Sequence, residues 1–309
     1  MKEKHSRSDV ETVKYITTIV KRRQDLPPTT NPDRLYSELR QRLHQMEFYD
    51  FISGVVLKKS KVLDEKQGLP AIFDEQFSND VHYPWDIRAD AESLYLRWMQ
   101  GMTDPHLLRG IETARKTTNG TKRTTHKLEA GYKDRRSCDH VGAGDLANGQ
   151  WWPLQIAAMR DGAHGEIEAG IHGKPEKGAF SVVLSGGGYA DEDDGTTIRY
   201  CGTSGSAAKP SPGTNYLKQA CSLANPVRVL RSSALPARNP YRPSRGLRYD
   251  GLYDVVSFEI LDEGTAMHRF LLERRDGQDP IRYSGVEARP TNEEVAEYTK
   301  IRGLLGLSS

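Results

Sequence analysis

Apolar residues recur every three or four positions through the first hundred residues, and in short alternating runs after residue 140. The first pattern is helical and the second is that of strands. Val10, Val13, Ile16 and Val20 share a helical face. Ser8 with Glu11 makes a capping-box start, and Leu26-Pro27-Pro28 a stop, so a helix is predicted over 8–24. Asn31 as N-cap and Pro32 at the first helical position open a second, carrying Leu35, Leu39, Leu43 and Met46. A third is predicted over 55–65, a fourth after Pro84 through Trp85, Ala89, Leu94, Leu96 and Trp98, and a fifth over 104–115. These stripes read as core. His44 and His82 stand alone and read as structural or exposed.

The run KTTNGTKRTTHKLEAGYKDRRS has no such period. It predicts a linker or extended arm, either a solvated tether or a strip that touches a phosphate backbone. Beyond it, Trp151, Trp152, Leu154, Ile156 and Ala158 read as one strand. Further strands are predicted at 180–184, 198–201, 227–230, 252–260 and 268–273, with a turn at 167–173. One helix is predicted over 215–223, with Leu217 and Ala220 inward. A helical tail runs from a cap at Thr291 or Asn292 to about Leu305, with Glu293 and Glu294 in its first turn. Short strands between glycine-rich turns suggest a barrel or sandwich. The fold class is therefore α+β: an all-α region over 1–112, a basic linker over 113–140, a β domain over 141–285, and a helical tail over 286–309.

At 309 residues the chain has room for two domains. Its apolar runs fall far short of the ~20 residues that span a bilayer. The start MKEKHSRSDV lacks the apolar core of a signal peptide, so an intracellular protein without membrane contact is expected. Cys138, Cys201 and Cys221 form no CxxC pair. Reduced thiols are expected, with no structural zinc, disulfide framework or cofactor. Net charge is only +2, yet eight Lys/Arg face two acids between Thr113 and Ser137. Between Leu223 and Tyr249 lie Arg228, Arg231, Arg238, Arg242, Arg245 and Arg248, and no acid. Local basic stretches on a neutral chain can make a phosphate-binding face; a solvated surface is the alternative.

The most unusual stretch is Gly178–Gly205, GAFSVVLSGGGYADEDDGTTIRYCGTSG. An apolar run meets Gly186-Gly187-Gly188, then Tyr189, then Asp191, Glu192, Asp193 and Asp194, then Tyr200 and a second glycine-rich turn. Two aromatic planes with a carboxylate between them, on backbone that can come close to a ligand, suit a flat, amine-bearing ring. The tyrosines have an ordinary alternative as core residues.

These blocks resemble the SET- and RING-associated domain, SRA or YDG. The resemblance rests on AGIHG (169–173), GAFSVVLSGGGY (178–189), RYCGTSG (199–205), NPVRVLRSS (225–233), NPYRP (239–243), RYDGLYDV (248–255) and HRFLLERRDGQDP (268–280), in that order. It covers about residues 141–283. With helices before a lone SRA segment, the chain looks similar to fungal-type members. The resemblance implies a curved, barrel-like (PUA-like) β fold with flanking helices. It implies a nuclear, chromatin-associated reader that flips 5-methylcytosine out of a DNA duplex, often at hemimethylated CpG, in epigenetic regulation. Tyr189 and Tyr200 would sandwich the flipped ring. An acid after the first tyrosine, Asp191 or in its place Glu192 or Asp193, would accept from the exocyclic amine. Backbone of Ser185, Gly186, Gly187 and Cys201 would meet the remaining base edge, and the methyl group would lie near Ser185, Cys201 and Thr203. Asp250 of the YDG signature would brace a turn through backbone amides, and His172 would be structural.

Departures bear on DNA insertion. Where the family presents a small apolar or amide side chain before AGIHG, this chain has Glu168, with Glu166 nearby. The second insertion loop corresponds to GSAAKPSPGTN, with Lys209 its one cation. Glu168, Lys209, Arg231 and Arg245 are the candidate DNA contacts. No RING, PHD or SET motif is seen, so a non-enzymatic protein is expected. The alternatives are a scaffold that has lost DNA binding and joins chromatin proteins through its N-terminal helices, and a subunit of a modification-dependent nuclease.

Overall fold

The computed structural model describes residues 7–118, 121–186, 191–206 and 208–304. They fall into two compact units, one of residues up to Arg109 together with those from Thr291 on, the other Gly110–Pro290.

The first unit is helical. Its helices are α1 (Arg7–Gln24), α2 (Asp33–Met46), α3 (Gly54–Ser60), α4 (Pro70–Phe73) and α5 (Trp85–Met99). The predicted stripes form its core: Val13, Ile16, Val20, Leu39, Leu43 and Met46 are each at most 1% exposed. Ser8 lies inside the first turn of α1 rather than before it. The N-cap of α2 is Pro32 rather than the expected Asn31, although Asn31 Oδ1 accepts from the Asp33 amide at 2.8 Å. The third helix is shorter than predicted because Lys61 takes a left-handed φ of 59° and ends it. The fifth does not form: Gly110, at φ +65°, stands inside the predicted span, and Ile111 begins a strand. His44 is buried and bonds Asp90 at 2.9 Å, while His82 is exposed.

The second unit opens with a structure the sequence reading assigned to linker. Strands β1 (Ile111–Thr118) and β2 (Thr121–Leu128) pair antiparallel along their whole length. The stretch after them is docked too: the Arg136 amide donates to Arg160 O at 2.8 Å. Next, β3 (Trp151–Trp152) leads into helix α6 (Gln155–Arg160). The predicted strand through Ala158 is thus two residues long. The good helix formers after Pro153 win over the local alternation, and Ile156, Ala157 and Ala158 are buried in succession.

The remaining elements are β4 (Ile171–Lys174), β5 (Gly178–Leu184), β6 (Glu192–Asp193), β7 (Thr197–Cys201), α7 (Pro212–Leu223), β8 (Val227–Ser232), β9 (Leu247–Asp262) and β10 (Met267–Arg274). They make one mixed sheet in the order β4-β5-β8-β9-β10-β7-β6, with β3 on β9. Among the described strands, only β5 and β8 pair in parallel, joined through α7. The hydrogen-bonded path does not close among the described strands, so the expectation of a barrel is met only as an open α/β-covered sheet. Every residue of β5 is buried, as a strand with neighbours on both edges and cover on both faces requires. Helix α7 starts three residues earlier than predicted, because Ser211 caps it through the Thr214 amide and Pro212 fills the first position. Leu217 and Ala220 point inward as expected. The last helix, α8 (Asn292–Leu304), belongs to the first unit. Thr291 and Glu294 form a reciprocal capping box before it: Thr291 N donates to Glu294 Oε2 at 2.6 Å, and Glu294 N to Thr291 Oγ1 at 3.2 Å.

Candidate functional site

The Gly178–Gly205 stretch folds as β5, then β6, a turn at Gly195, and β7. Tyr189 and Gly187 lie outside the described residues. At the end of β5, Ser185 and Gly186 are exposed. Gly186 takes φ +67°, and a Cβ there would meet Ala234 O at 3.0 Å and Pro236 at 3.1 Å. Only glycine suits both the angle and the approach.

The four consecutive acids have four different fates. Asp191 Oδ1 accepts from the Cys201 amide at 2.7 Å, which holds the carboxylate beside the end of β7. Burial raises its pKa, and the charge of Asp193 adds to the rise, against the opposing pull of the Cys201 bonds. Glu192 faces solvent and pairs with Arg199 at 3.3 Å and Arg269 at 3.7 Å. The Asp193 side chain is 3% exposed and is held by Arg231, Asn239 and the Gly195 amide. Burial alone would raise its pKa, but the bonds and charge of Arg231 outweigh it and hold Asp193 below the usual carboxylate value. Asp194 Oδ1 accepts from the Thr197 amide at 2.7 Å and so shapes the turn. Of the three candidate acceptors, Glu192 is engaged by Arg199 and Arg269 and Asp193 by Arg231 and Asn239, whereas the described bonds of Asp191 come from Cys201 alone.

Tyr200 is 5% exposed and packs in the core of the sheet. Its hydroxyl donates to Gly170 O at 3.1 Å, which ties β7 to the loop before β4. Cys201 is buried, while Thr203 is exposed at its side chain and accepts at its carbonyl from Thr214 Oγ1 at 2.8 Å. The structure thus brings Tyr200, Asp191 and Cys201 together.

Of the candidate DNA contacts, Glu168, Lys209 and Arg245 are exposed. Glu168 sits in a loop whose carbonyls at Glu166 and Ala169 accept from Gln155 Nε2 at 3.0 and 2.8 Å. Arg231 is not a surface cation: it is fully buried. Its Nε and Nη2 donate to Asp193 at 2.8 and 2.6 Å, Nη2 also to Gly195 O, and Nη1 to Asp250 and Tyr253. All five guanidinium hydrogens have acceptors, so none is left for a phosphate. Asp250 is also corrected. It braces side chains, not a backbone turn, accepting from Arg231 and, at 2.5 and 2.9 Å, from Arg248. Arg248 in turn donates to Tyr241 O and Arg289 O. Arg228 is buried as well, on four carbonyls of residues 138, 140, 142 and 163. Three of the six arginines of this stretch are therefore internal.

His172 bonds Asp139 at 2.9 Å and lies 3.5 Å from Glu166. Neighbouring His164 bonds Ser181 and Ala169 O, and burial pushes its pKa down to about 3, so its ring is neutral. Asn239, Gly195 and Tyr253, which complete the Arg231 network, were not singled out as site residues. Asn239 lies in the NPYRP block, the one signal that marked it.

The described residues contain no group of three or more His, Cys, Asp or Glu able to hold a metal ion. No described helix is long and apolar enough to cross a membrane.

The model of the SAD/SRA domain matches residues 140–278. A UHRF1-like protein of Cryptococcus neoformans is 34% identical over 156 residues, which cover 43% of this chain and 45% of that protein. The E3 ubiquitin-protein ligase ORTHRUS 3 of Arabidopsis thaliana is 37% identical over 156 residues, 45% of this chain and 23% of that one. This chain therefore matches less than half the length of either. The SRA domain of SUVH5, solved with hemimethylated CG DNA, is 27% identical over 46% of this chain and 97% of that one, at a TM-score of 0.38. The expectation of a non-enzymatic protein is overturned by relatives named as ubiquitin ligases, which match 45% of this chain and 23% of their own length. Residues 140–278 therefore carry the SAD/SRA domain to which the sequence resemblance pointed.

Proposed function

We propose that residues 140–278 read a modified cytosine in DNA by taking the flipped base into a site walled by Tyr200 and read by Asp191. The observation that carries this reading is the placement of the Asp191 carboxylate, fixed by the Cys201 amide at 2.7 Å beside Tyr200, while Glu192 and Asp193 are committed elsewhere. An acid accepting from the cytosine amine is worth about 1–3 kcal/mol of discrimination. Stacking on an aromatic ring adds roughly 1–3 kcal/mol per base. Together they offset the few kcal/mol that unstacking and unpairing cost. Tyr189 is the second aromatic wall in this reading, with Ser185, Gly186, Gly187 and Thr203 around the ring edge. The sheet curves about the base in the barrel-like manner of the family, and the protein works on chromatin in the nucleus. The domain division is the one read from the sequence, with the DNA-binding region over 141–285.

The exposed Glu166 and Glu168, where the family inserts into DNA, and the internal Arg228, Arg231 and Arg248 favour a second reading. In it the domain is a scaffold for chromatin proteins, which the helical unit engages. Mobility shifts with unmodified, hemimethylated, fully methylated and hydroxymethylated CpG duplexes separate the two. Methyl-dependent binding that falls at least tenfold in Asp191→Ala supports the reader. Absence of binding to any duplex at low salt supports the scaffold.

A further inference from the structure

The sequence offered Arg231 as a DNA contact; its surroundings assign it another task. Its guanidinium faces the acidic segment with three of its hydrogen bonds: two to Asp193 and one to Gly195 O. The other two go to Asp250 and Tyr253 on β9. Asp250 is held by Arg248, which is itself anchored on Tyr241 O and Arg289 O. A continuous, fully buried chain of ions thus runs from β9 to β6. Asn239 Nδ2 closes it by donating to Asp193 Oδ2 at 2.9 Å.

Asp193 is two residues from Asp191. Asp191 immediately precedes the two-residue strand β6, so anchoring Asp193 limits where the Asp191 carboxylate can reach. Fixing Asp193 therefore restrains Asp191 together with its bonds to Cys201. Gly195 closes the turn by the same logic. It takes φ +93°, and a Cβ there would lie 2.4 Å from the Tyr241 ring, so this segment is packed to the backbone against the 239–241 block. The planar fork of Arg231 suits a carboxylate gripped by two parallel bonds, which a lysine cannot reproduce.

We infer that Arg231 and Asn239 are positioning residues: through Asp193 they hold Asp191 at the distance and angle at which it reads the base. This rests on the reading of Asp191 as the base acceptor. Neither residue touches DNA, and the amine that Asp191 reads is common to cytosine and 5-methylcytosine; their loss lowers the methylated-to-unmodified ratio because the methylated base is the one taken into the site, and it leaves salt-dependent, sequence-independent binding in place.

The test uses the full chain and CpG duplexes, methylated and unmodified, with the ratio of the two affinities as readout. Asp193→Asn keeps the shape and removes the charge that Arg231 grips. Asn239→Ala is the milder variant, which trims one bond of a half-buried side chain and keeps the test alive where Asp193→Asn does not fold. Circular dichroism and melting identify the folded proteins. The expected result is a ratio lowered roughly tenfold in a folded variant, comparable to one hydrogen bond lost or misdirected. Each substitution should have no further effect in the Asp191→Ala background, because it acts through Asp191. A purely structural role would leave the ratio unchanged in folded protein, or lower it equally with and without Asp191; either outcome overturns the inference. If Asp191→Ala itself leaves the ratio unchanged, the base-reading assignment falls, and this inference with it. If Asp191→Ala lowers the ratio and neither Asp193→Asn nor Asn239→Ala does, only the positioning role falls.

Discussion

Two aspartates, two residues apart, have their pKa values moved in opposite directions. Burial, with the charge of Asp193 added, raises Asp191 above 3.8; Arg231 outweighs burial and lowers Asp193 below it. The consequences for stability are opposite too. Asp193 contributes stability that is fully present above pH 3.8 and is lost as pH falls through its lowered value. Ionised Asp191 disfavours the fold once pH exceeds its raised value, and that penalty vanishes below pH 3.8. Thermal melts against pH should therefore show Asp193→Asn less stable than the parent at pH 7, by about 3 kcal/mol for a broken buried pair, with a flatter loss in acid. Asp191→Asn should melt at or above the parent at pH 7, with the gap closing below pH 3.8. Melts of the two variants that shift in the same direction at pH 7 would refute the assignment. Neither fate was legible in the run of four acids. The sequence shows that carboxylates crowd there; which one meets Arg231 depends on β6 and β8 coming together across residues 194–226. Two of the three internal arginines were hidden for the same reason. Between Leu223 and Tyr249 no acid stands beside them; Arg228 and Arg231 find their partners on other elements, and Arg248 finds Asp250 two residues on in its own strand and Tyr241 O in the loop before it.

At the scale of elements, legibility followed the presence of a buried face. Helices α1, α2 and α5 carry apolar stripes that pack inward, and their periods located them. The β1–β2 ribbon was missed because its strands alternate threonine with charge and show no apolar period. A two-stranded ribbon can form with neither face in a core, and then nothing in the pattern marks it. Strand β3 and helix α6 were merged because Trp151, Trp152, Leu154, Ile156 and Ala158 alternate by chance across a Pro153 break. Of the expected caps, Ser8 and Asn31 are not the N-caps of α1 and α2, whereas Thr291 does cap α8. In the Thr291–Glu294 box, Thr291→Ala should destabilise the helical unit by about 1 kcal/mol, read as a lower urea midpoint at unchanged slope. Glu294→Gln, which keeps an acceptor for the Thr291 amide, should lose less. Equal losses in the two variants would mean that the charge of Glu294, not the reciprocal bonds, stabilises the helix.

For the whole molecule, the distribution of cations matters more than their number. A net charge of +2 conceals a basic ribbon, and an arginine-rich stretch half of which is internal. Of the candidate DNA contacts, Lys209 and Arg245 are exposed cations, as are Arg199 and Arg238 nearby in sequence, while Glu166 and Glu168 repel a phosphate backbone. Each phosphate contact steepens the fall of log affinity with log salt by about 0.9. Arg245→Ala and Lys209→Ala should each reduce that slope by about 0.9 while leaving the methylated-to-unmodified ratio intact. Asn239→Ala should do the reverse, leaving the slope alone and lowering the ratio. Glu168→Gln should strengthen binding at low salt to both duplexes alike, because it removes a charge facing the polyanion and adds no base contact. These measurements divide affinity from selectivity on this surface. A slope unmoved by both Arg245→Ala and Lys209→Ala would place the DNA backbone on another face of the unit, with the β1–β2 ribbon as the next basic element to test.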